Sequence, residues 1–211
     1  MAAKKKQIEK DAPTRILEAA LELFAANGFD ATSVRMLARK VGMRESSLYN
    51  HFENKNAILL ALVEKYGSAM AAERLEANDF RKLSDDPENF CKKYVNHSIK
   101  QWSDPREQQF QAVLGKERNR SETLHKNYVD QLFGRKQRLL EEYFTHFAET
   151  GLIESDDPKA TAKLFLAGLT HLRLEHFMLN PTSSNRNANR AANNFANHFL
   201  ALIKVKPRRK K

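Results

Sequence analysis

The sequence predicts an all-α protein, on three observations. Only seven glycines and six prolines occur in 211 residues, so the chain lacks the turns of a many-stranded fold. Apolar residues recur at helical spacing through most of its length. Three pairs each place a capping aspartate before a proline at the first helical position: Asp86-Pro87, Asp104-Pro105 and Asp157-Pro158. We expect about nine helices and no strand.

Apolar stripes and capping residues delimit the first four helices. The first follows Asp11 and ends at Asn27-Gly28, where glycine can close a helix; its face carries Ile16, Ala20, Leu23 and Phe24. The second lies between the cap Ser33 and Gly42, and its stripe is Val34, Leu37, Ala38 and Val41. A short third helix is predicted over Arg44 to His51. Asn54 then caps a fourth, predicted to run to about Ala77.

The later helices follow the same pattern. One begins after each Asp-Pro pair, another is predicted from Ser121 to Gly151, and the last covers roughly Asn187 to Lys204. The segment 160–179 is apolar on most sides, which is typical of a helix buried on more than one face.

Composition and charge narrow the class of protein. The chain has no apolar run of membrane-spanning length and no apolar stretch behind its basic start. A single cysteine, Cys91, excludes an internal disulfide. We therefore expect a cytoplasmic protein without a membrane partner.

The net charge of +10 is unevenly distributed. Residues 1–60 hold ten Lys/Arg against seven Asp/Glu, and residues 204–211 hold six basic residues and no acid. This distribution favours a polyanionic partner, DNA before membrane. Two interpretations of the basic ends stay open. They contact DNA, with Lys4, Lys5 and Lys6 in a minor groove, or they are solvated tails.

Residues 33–52 have the proportions of a helix-turn-helix, with Gly42 at the turn. The stretch 31–59 closely resembles the signature of the TetR family of regulators. Matching residues are Leu37-Ala38, Gly42, Leu48-Tyr49, His51-Phe52 and Asn54-Lys55, and Phe24 to Phe29 resembles the end of the family's first helix. The resemblance covers about residues 13–60.

The resemblance implies a sequence-specific, ligand-responsive regulator, most often a repressor, that binds a palindromic operator as a dimer. It implies phosphate contacts by Thr32, Ser33, Arg35, Tyr49, His51 and Lys55. The residues expected to face base edges are Arg44, Glu45, Ser46, Ser47 and Asn50. Glu45 could instead only cap or orient the recognition helix.

The resemblance also divides the chain into a basic arm (1–11), a DNA-binding domain (12–56), an effector-binding and dimerisation domain (57–204) and a basic tail (205–211). A small-molecule effector is expected, and no cofactor or metal. Pocket candidates are Phe90, Tyr94, Trp102, Phe110, His125, Tyr128, Phe133, Phe144 and His171, although each could be a core residue.

The last two long helices are expected to form the dimer interface. Its predicted residues are Leu164, Ala167, Gly168, His171, Ala188, Ala191, Ala192, Phe195 and Phe199. The alternative is that these stripes belong to the core of one protomer.

Two other functions compete with this interpretation of the sequence. An enzyme is disfavoured, because none of the seven histidines has metal-ligand spacing and nothing in the sequence activates Cys91. A sequence-tolerant architectural DNA binder would suit the basic ends. The near-neutral body and the varied recognition face argue against it.

Overall fold

The computed structural model of the chain describes residues 11–66, 80–130, 134–179 and 185–206, and within these ranges it is all-α. The described ranges contain ten α-helices: α1 Ala12–Asn27, α2 Val34–Val41, α3 Glu45–Tyr49, α4 Lys55–Tyr66, α5 Pro87–Trp102, α6 Pro105–Glu117, α7 Glu122–Val129, α8 Arg135–Glu149, α9 Pro158–Arg173 and α10 Asn185–Leu202. A short 3-10 turn, Phe80–Leu83, precedes α5, and a π-helical turn, Leu174–Leu179, follows α9.

The predicted caps are confirmed. In each Asp-Pro pair the aspartate side chain accepts a hydrogen bond from a backbone N–H in the first turn, at 2.8–3.1 Å. Ser33 accepts from the backbone N–H of Met36 at 3.1 Å, and Asn54 from that of Ala57 at 2.9 Å. Gly28 and Gly42 close α1 and α2 at φ values of 85° and 75°, where glycine has no steric cost.

The prediction of one helix from Ser121 to Gly151 is wrong. The segment contains two helices, α7 and α8, with Asp130 and Gly134 in π-helical conformation between them. Gly134 has ψ of −98°, far from helical, and glycine is among the weakest helix formers. The expected extension of the fourth helix to Ala77 lies outside the described residues.

Two hydrophobic cores organise the fold. The head core joins α1–α4 to the apolar side of α6 and includes Leu37, Leu48, Phe110 and Leu114. The body core lies among α5, α8, α9 and α10 and is rich in phenylalanine, with Phe90, Phe144, Phe165 and Phe199 nearly inaccessible to solvent. Helix α6 therefore packs with the head even though it follows α5 of the body.

Candidate nucleic-acid interface and effector cavity

The first part of the site is a helix-turn-helix formed by α2 and α3. Leu37 and Leu48 are both 0% exposed and anchor the two helices on α1. The Arg15 guanidinium on α1 donates to the backbone oxygen of Val41 at 2.6 Å, at the last residue of α2. The turn and both helices are therefore held in one orientation relative to α1.

The outer surface of α2 and α3 brings together most of the predicted DNA-binding residues. Tyr49 is 49% exposed, and Ser47 is partly buried. The remaining exposed members are Ser33, Arg35, Arg44, Glu45, Ser46, Asn50 and His51. This surface offers cationic, amide and hydroxyl groups, which are the groups that contact phosphates and base edges.

Two predicted phosphate contacts have other partners here. Thr32 is 0% exposed, and its hydroxyl donates to the backbone oxygen of Gly28 at 2.7 Å. The Lys55 ammonium donates to the backbone oxygens of Phe29 and Thr32 at 2.7 and 2.8 Å. Both residues fix the loop between α1 and α2, which corrects the expectation that their polar atoms face DNA.

That loop is also tied to the end of α6, which the sequence analysis missed. Arg120 pairs with Asp30 of the loop at 2.7 Å and with Glu117 of α6 at 2.6 Å. Its guanidinium lies 4.4 Å from the centre of the Phe29 ring. The hydrogen bond from Arg120 lowers the pKa of Asp30, so the carboxylate stays charged at neutral pH. We call this Asp30–Arg120–Glu117 group the latch.

The predicted dimer residues separate into two sets. Ala188, Ala192 and Phe199 are buried within the protomer, and the ring of Phe195 packs over Gly168. For these residues the expected interface position is corrected, because the chain itself covers them. By contrast, Leu164 is 57% exposed, and Ala167 and His171 are exposed on the same helix. Ala191 is partly buried against the body core.

Most of the predicted pocket residues belong elsewhere. Phe90 and Phe144 pack in the body core, Phe110 lies in the head core, and His125 and His171 are exposed. The Tyr128 side chain and Phe133 lie outside the described residues. Only Tyr94 and Trp102 line a described cavity.

The structure places a cavity of about 220 Å³ beside α6. It is lined by Trp102, Glu107, Gln108, Gln111, Ala112, Arg173, Phe177 and Met178. A smaller cavity of about 20 Å³ shares Trp102 and Arg173 and adds Tyr94, Ser98, Lys136, Leu166, Leu169 and Thr170. Sequence reasoning missed Arg173, although this residue follows Leu166 and Leu169 at helical spacing on the inward face of α9.

The described structure contains no cluster of side chains suited to a metal ion. Burial raises the pKa of the Cys91 thiol, which is 0% exposed. Within the described ranges, no helix has an apolar stretch of the length that a bilayer requires. The fold and the exposed polar surface thus define a helix-turn-helix DNA-binding protein on a helical body.

Comparison with known proteins identifies the family. Residues 16–62 match the family model of bacterial regulatory proteins, tetR family, and residues 92–204 match that of the AefR-like transcriptional repressor C-terminal domain. The second match alone covers more than half of the chain. The chain therefore belongs to the TetR family of bacterial transcriptional regulators, as the helix-turn-helix motif indicated.

Individual relatives match this chain either over a short segment or over most of its length at low sequence identity. The class A tetracycline repressor from transposon 1721 of Escherichia coli is 43% identical over 61 residues, which is 29% of this chain and 26% of the repressor. FadR from Bacillus subtilis, solved with stearoyl-CoA, is 16% identical, covers 89% of this chain and 97% of its own, and has a TM-score of 0.66.

A putative regulator from Saccharomonospora viridis, solved with choline, is 18% identical, covers 89% of this chain and 96% of its own, and has a TM-score of 0.67. At such low identity these structural matches demonstrate the shared fold and nothing about ligands.

Proposed function

We propose that this chain is a cytoplasmic repressor that binds a palindromic operator as a homodimer and releases it when a small molecule binds the body. The observation that carries the proposal is the polar outer surface of α2 and α3, which covers an apolar anchor of Leu37 and Leu48. The protein acts by binding and needs neither a cofactor nor catalysis. The functional division stays as 12–56 for DNA binding and 57–204 for effector binding and pairing.

The contacts to DNA divide into positioning and reading groups. Ser33 and Arg35 at the start of α2, with Tyr49 and His51, suit phosphates. Arg44, Glu45, Ser46, Ser47 and Asn50 face base edges, where Arg pairs with guanine and Asn with adenine.

Selection from random duplex DNA tests this function directly. We expect the purified chain to enrich an inverted repeat and to bind it roughly a thousandfold more tightly than scrambled DNA at physiological salt. Asn50→Ala should relax preference at one base pair per half-site, while Tyr49→Phe should weaken all sequences alike. If no motif is enriched and scrambled DNA binds equally well, the chain is an architectural binder instead.

Pairing of two chains is supported by an exposed stripe on α9 and the first residue of the turn that follows it. Leu164, Ala167, His171 and Leu174 recur at intervals of three and four residues, and the two leucines are 57% and 42% exposed. Exposed apolar residues at this spacing are typical of a helix that packs against a partner helix. The interface proposed here therefore rests on the outer side of α9 rather than on the buried alanines of α10.

Sedimentation measures the pairing. We expect a dimer for the unmodified chain and a monomer for Leu164→Glu, because the carboxylate would be buried unpaired. Leu60→Glu is the matched control, since Leu60 is 43% exposed on α4 of the head, and it should remain dimeric. A Leu164→Glu dimer of unchanged stability would contradict the interface.

A further inference from the structure

The cavity beside α6 carries an uneven charge. Among the described residues that line this cavity and the smaller one beside it, the charged ones are Lys136, Arg173 and Glu107. Arg173 and Glu107 pair at 3.6 Å with side chains only 9% and 10% exposed. The described residues of the lining therefore carry one net positive charge in a sheltered place, where a counter-charge is worth more than in water.

Two hydrogen-bond donors in the same lining lack acceptors. The indole N–H of Trp102 is buried with no hydrogen-bond partner in the described structure. The Lys136 ammonium has no ion-pair or hydrogen-bond partner within the described ranges. Burial, with Arg173 nearby, lowers the pKa of Lys136 to about 8, so it is still charged at neutral pH. A buried donor without an acceptor, such as the Trp102 indole, is rare and costly unless a ligand satisfies it, and the half-buried Lys136 ammonium offers an anion a charged donor in the same lining.

Two acceptors of the lining are already engaged. Glu107 accepts from Gln111 at 3.0 Å and pairs with Arg173, and the backbone oxygen of Trp102 accepts from Gln108 at 3.0 Å. Among the described lining residues the one carboxylate is thus already paired, and one positive charge has no counter-charge, which a carboxylate ligand supplies.

We infer that this cavity and the smaller one, which share Trp102 and Arg173, together bind a small organic carboxylate. Its oxygens accept from Trp102 and Lys136 at the smaller cavity, while its apolar body lies against Phe177 in the larger one. This inference rests on the proposed function and specifies the chemical class of its effector. The apolar part of the lining is provided by Trp102, Phe177, Met178 and Ala112. A volume of about 220 Å³ suits a body of one ring or a short chain, since a cavity of about 150 Å³ accommodates benzene.

Binding also has a route to the head. The carboxylate competes with Glu107 for Arg173, because both are anions beside one guanidinium. Glu107 lies in the first turn of α6, whose other side supplies Phe110 and Leu114 to the head core. Loss of the Glu107–Arg173 pair removes an ion pair that holds α6 to the end of α9.

The only tryptophan of the chain lies in this cavity, so intrinsic fluorescence reports on it directly. The probes are three matched sets of acid, amide and amine: benzoate, phenylacetate and hexanoate with their neutral and cationic counterparts. We expect at least one acid to change Trp102 fluorescence saturably, at concentrations where its amide and amine do not. If no acid binds more tightly than its own amide, the inference is overturned.

The variant Lys136→Met tests whether the Lys136 ammonium is the positive charge that binds the acid. We expect it to weaken binding of the acid by roughly tenfold or more and to leave any amide binding unchanged, because it removes the ammonium but keeps the apolar stem. The matched control is Lys100→Met, which removes an exposed lysine two residues before Trp102 on α5 and should bind the acid as the unmodified chain does. Equal affinity in Lys136→Met would overturn the inference, and a thermal melt of each variant verifies folding.

Operator binding by the same preparations, without any probe, separates this inference from the proposed function. If the chain binds its selected operator but no acid is preferred, only the carboxylate assignment fails. If an acid binds while no DNA sequence is preferred, the repressor function fails and the cavity assignment stands.

Discussion

The head core and the effector cavity share helix α6, yet they differ in how completely their polar groups are satisfied. In the head, Arg15, Thr32 and Lys55 each donate to a backbone carbonyl at 2.6–2.8 Å. At the cavity, Trp102 and Lys136 have unused donors within the described structure. The head is therefore built to hold one geometry, whereas the cavity keeps binding capacity for a ligand.

This comparison explains why α6 is the connection between the two regions. Phe110, Val113 and Leu114 are buried in the head core, while Glu107 and Gln111 line the cavity. A movement of α6 therefore carries a change at the lining to the head, since well-packed cores deform little.

The largest expected effect tests the rigidity of the head. Leu37→Ala should lower the free energy of unfolding by about 2–5 kcal/mol, because it leaves a hole in a close-packed core. Operator affinity should fall with it. Leu60→Ala, at a site 43% exposed on α4, should change stability by less than about 0.5 kcal/mol. Denaturant titration measures both, and a similar small loss in the two variants would contradict a tightly packed head.

The next effect tests the free-energy cost of burying the Lys136 charge beside the cavity. Lys136 faces Arg173 and Glu107, and its pKa is about 8 in the folded chain against 10.5 when unfolded. Below pH 8 both states are protonated, and the cost of burying the charge is fully present. Between the two values the unfolded state binds more protons, so stability rises with pH.

Lys136→Met should therefore stabilise the ligand-free chain by about 1–3 kcal/mol at neutral pH, the upper value being the full shift and the lower reflecting partial exposure. The difference from the unmodified chain should shrink as pH rises through 8 to 10. Urea titrations at several pH values measure it. A variant less stable than the unmodified chain at pH 7 would mean that the ammonium has an internal stabilising partner.

A pair of glycine substitutions compares the packing of the body with that of α6. A Cβ at Gly168 would lie 2.1 Å from Phe195 Cε2, whereas one at Gly115 would meet no atom within 4 Å. We expect Gly168→Ala to destabilise by about 1–3 kcal/mol and Gly115→Ala to stabilise by about 0.5–1 kcal/mol. Thermal melts measure both. Adding Phe195→Leu should recover part of the loss at Gly168, and no recovery would place the strain elsewhere.

The sequence predicted the helices well, and also which side chains of α2 and α3 are exposed, because capping, helical periodicity and the helix-turn-helix motif are local signals. It predicted the pocket poorly. Aromatic residues such as Phe90 and Phe144 have the same spacing whether they line a cavity or fill a core. The charged residues of the lining, Lys136 and Arg173, lie on two different helices, α8 and α9, so their proximity is not visible in the local sequence. The better signal was an inward-facing arginine in an apolar stripe.

The smallest expected effect concerns the latch that connects the two regions. Asp30→Ala removes the ion pair with Arg120 and should speed hydrogen exchange in the loop 28–32 by a few-fold at most, because solvent screens an exposed pair. Glu22→Ala breaks the exposed pair with Lys40 at 2.7 Å, which lies wholly within the head, and should leave that loop unchanged. Exchange that rises equally in both variants would mean that the loop responds to general loss of charge. Exchange that rises only in Asp30→Ala would show that α6 holds the loop through Arg120, and so connects the cavity to the DNA-binding head.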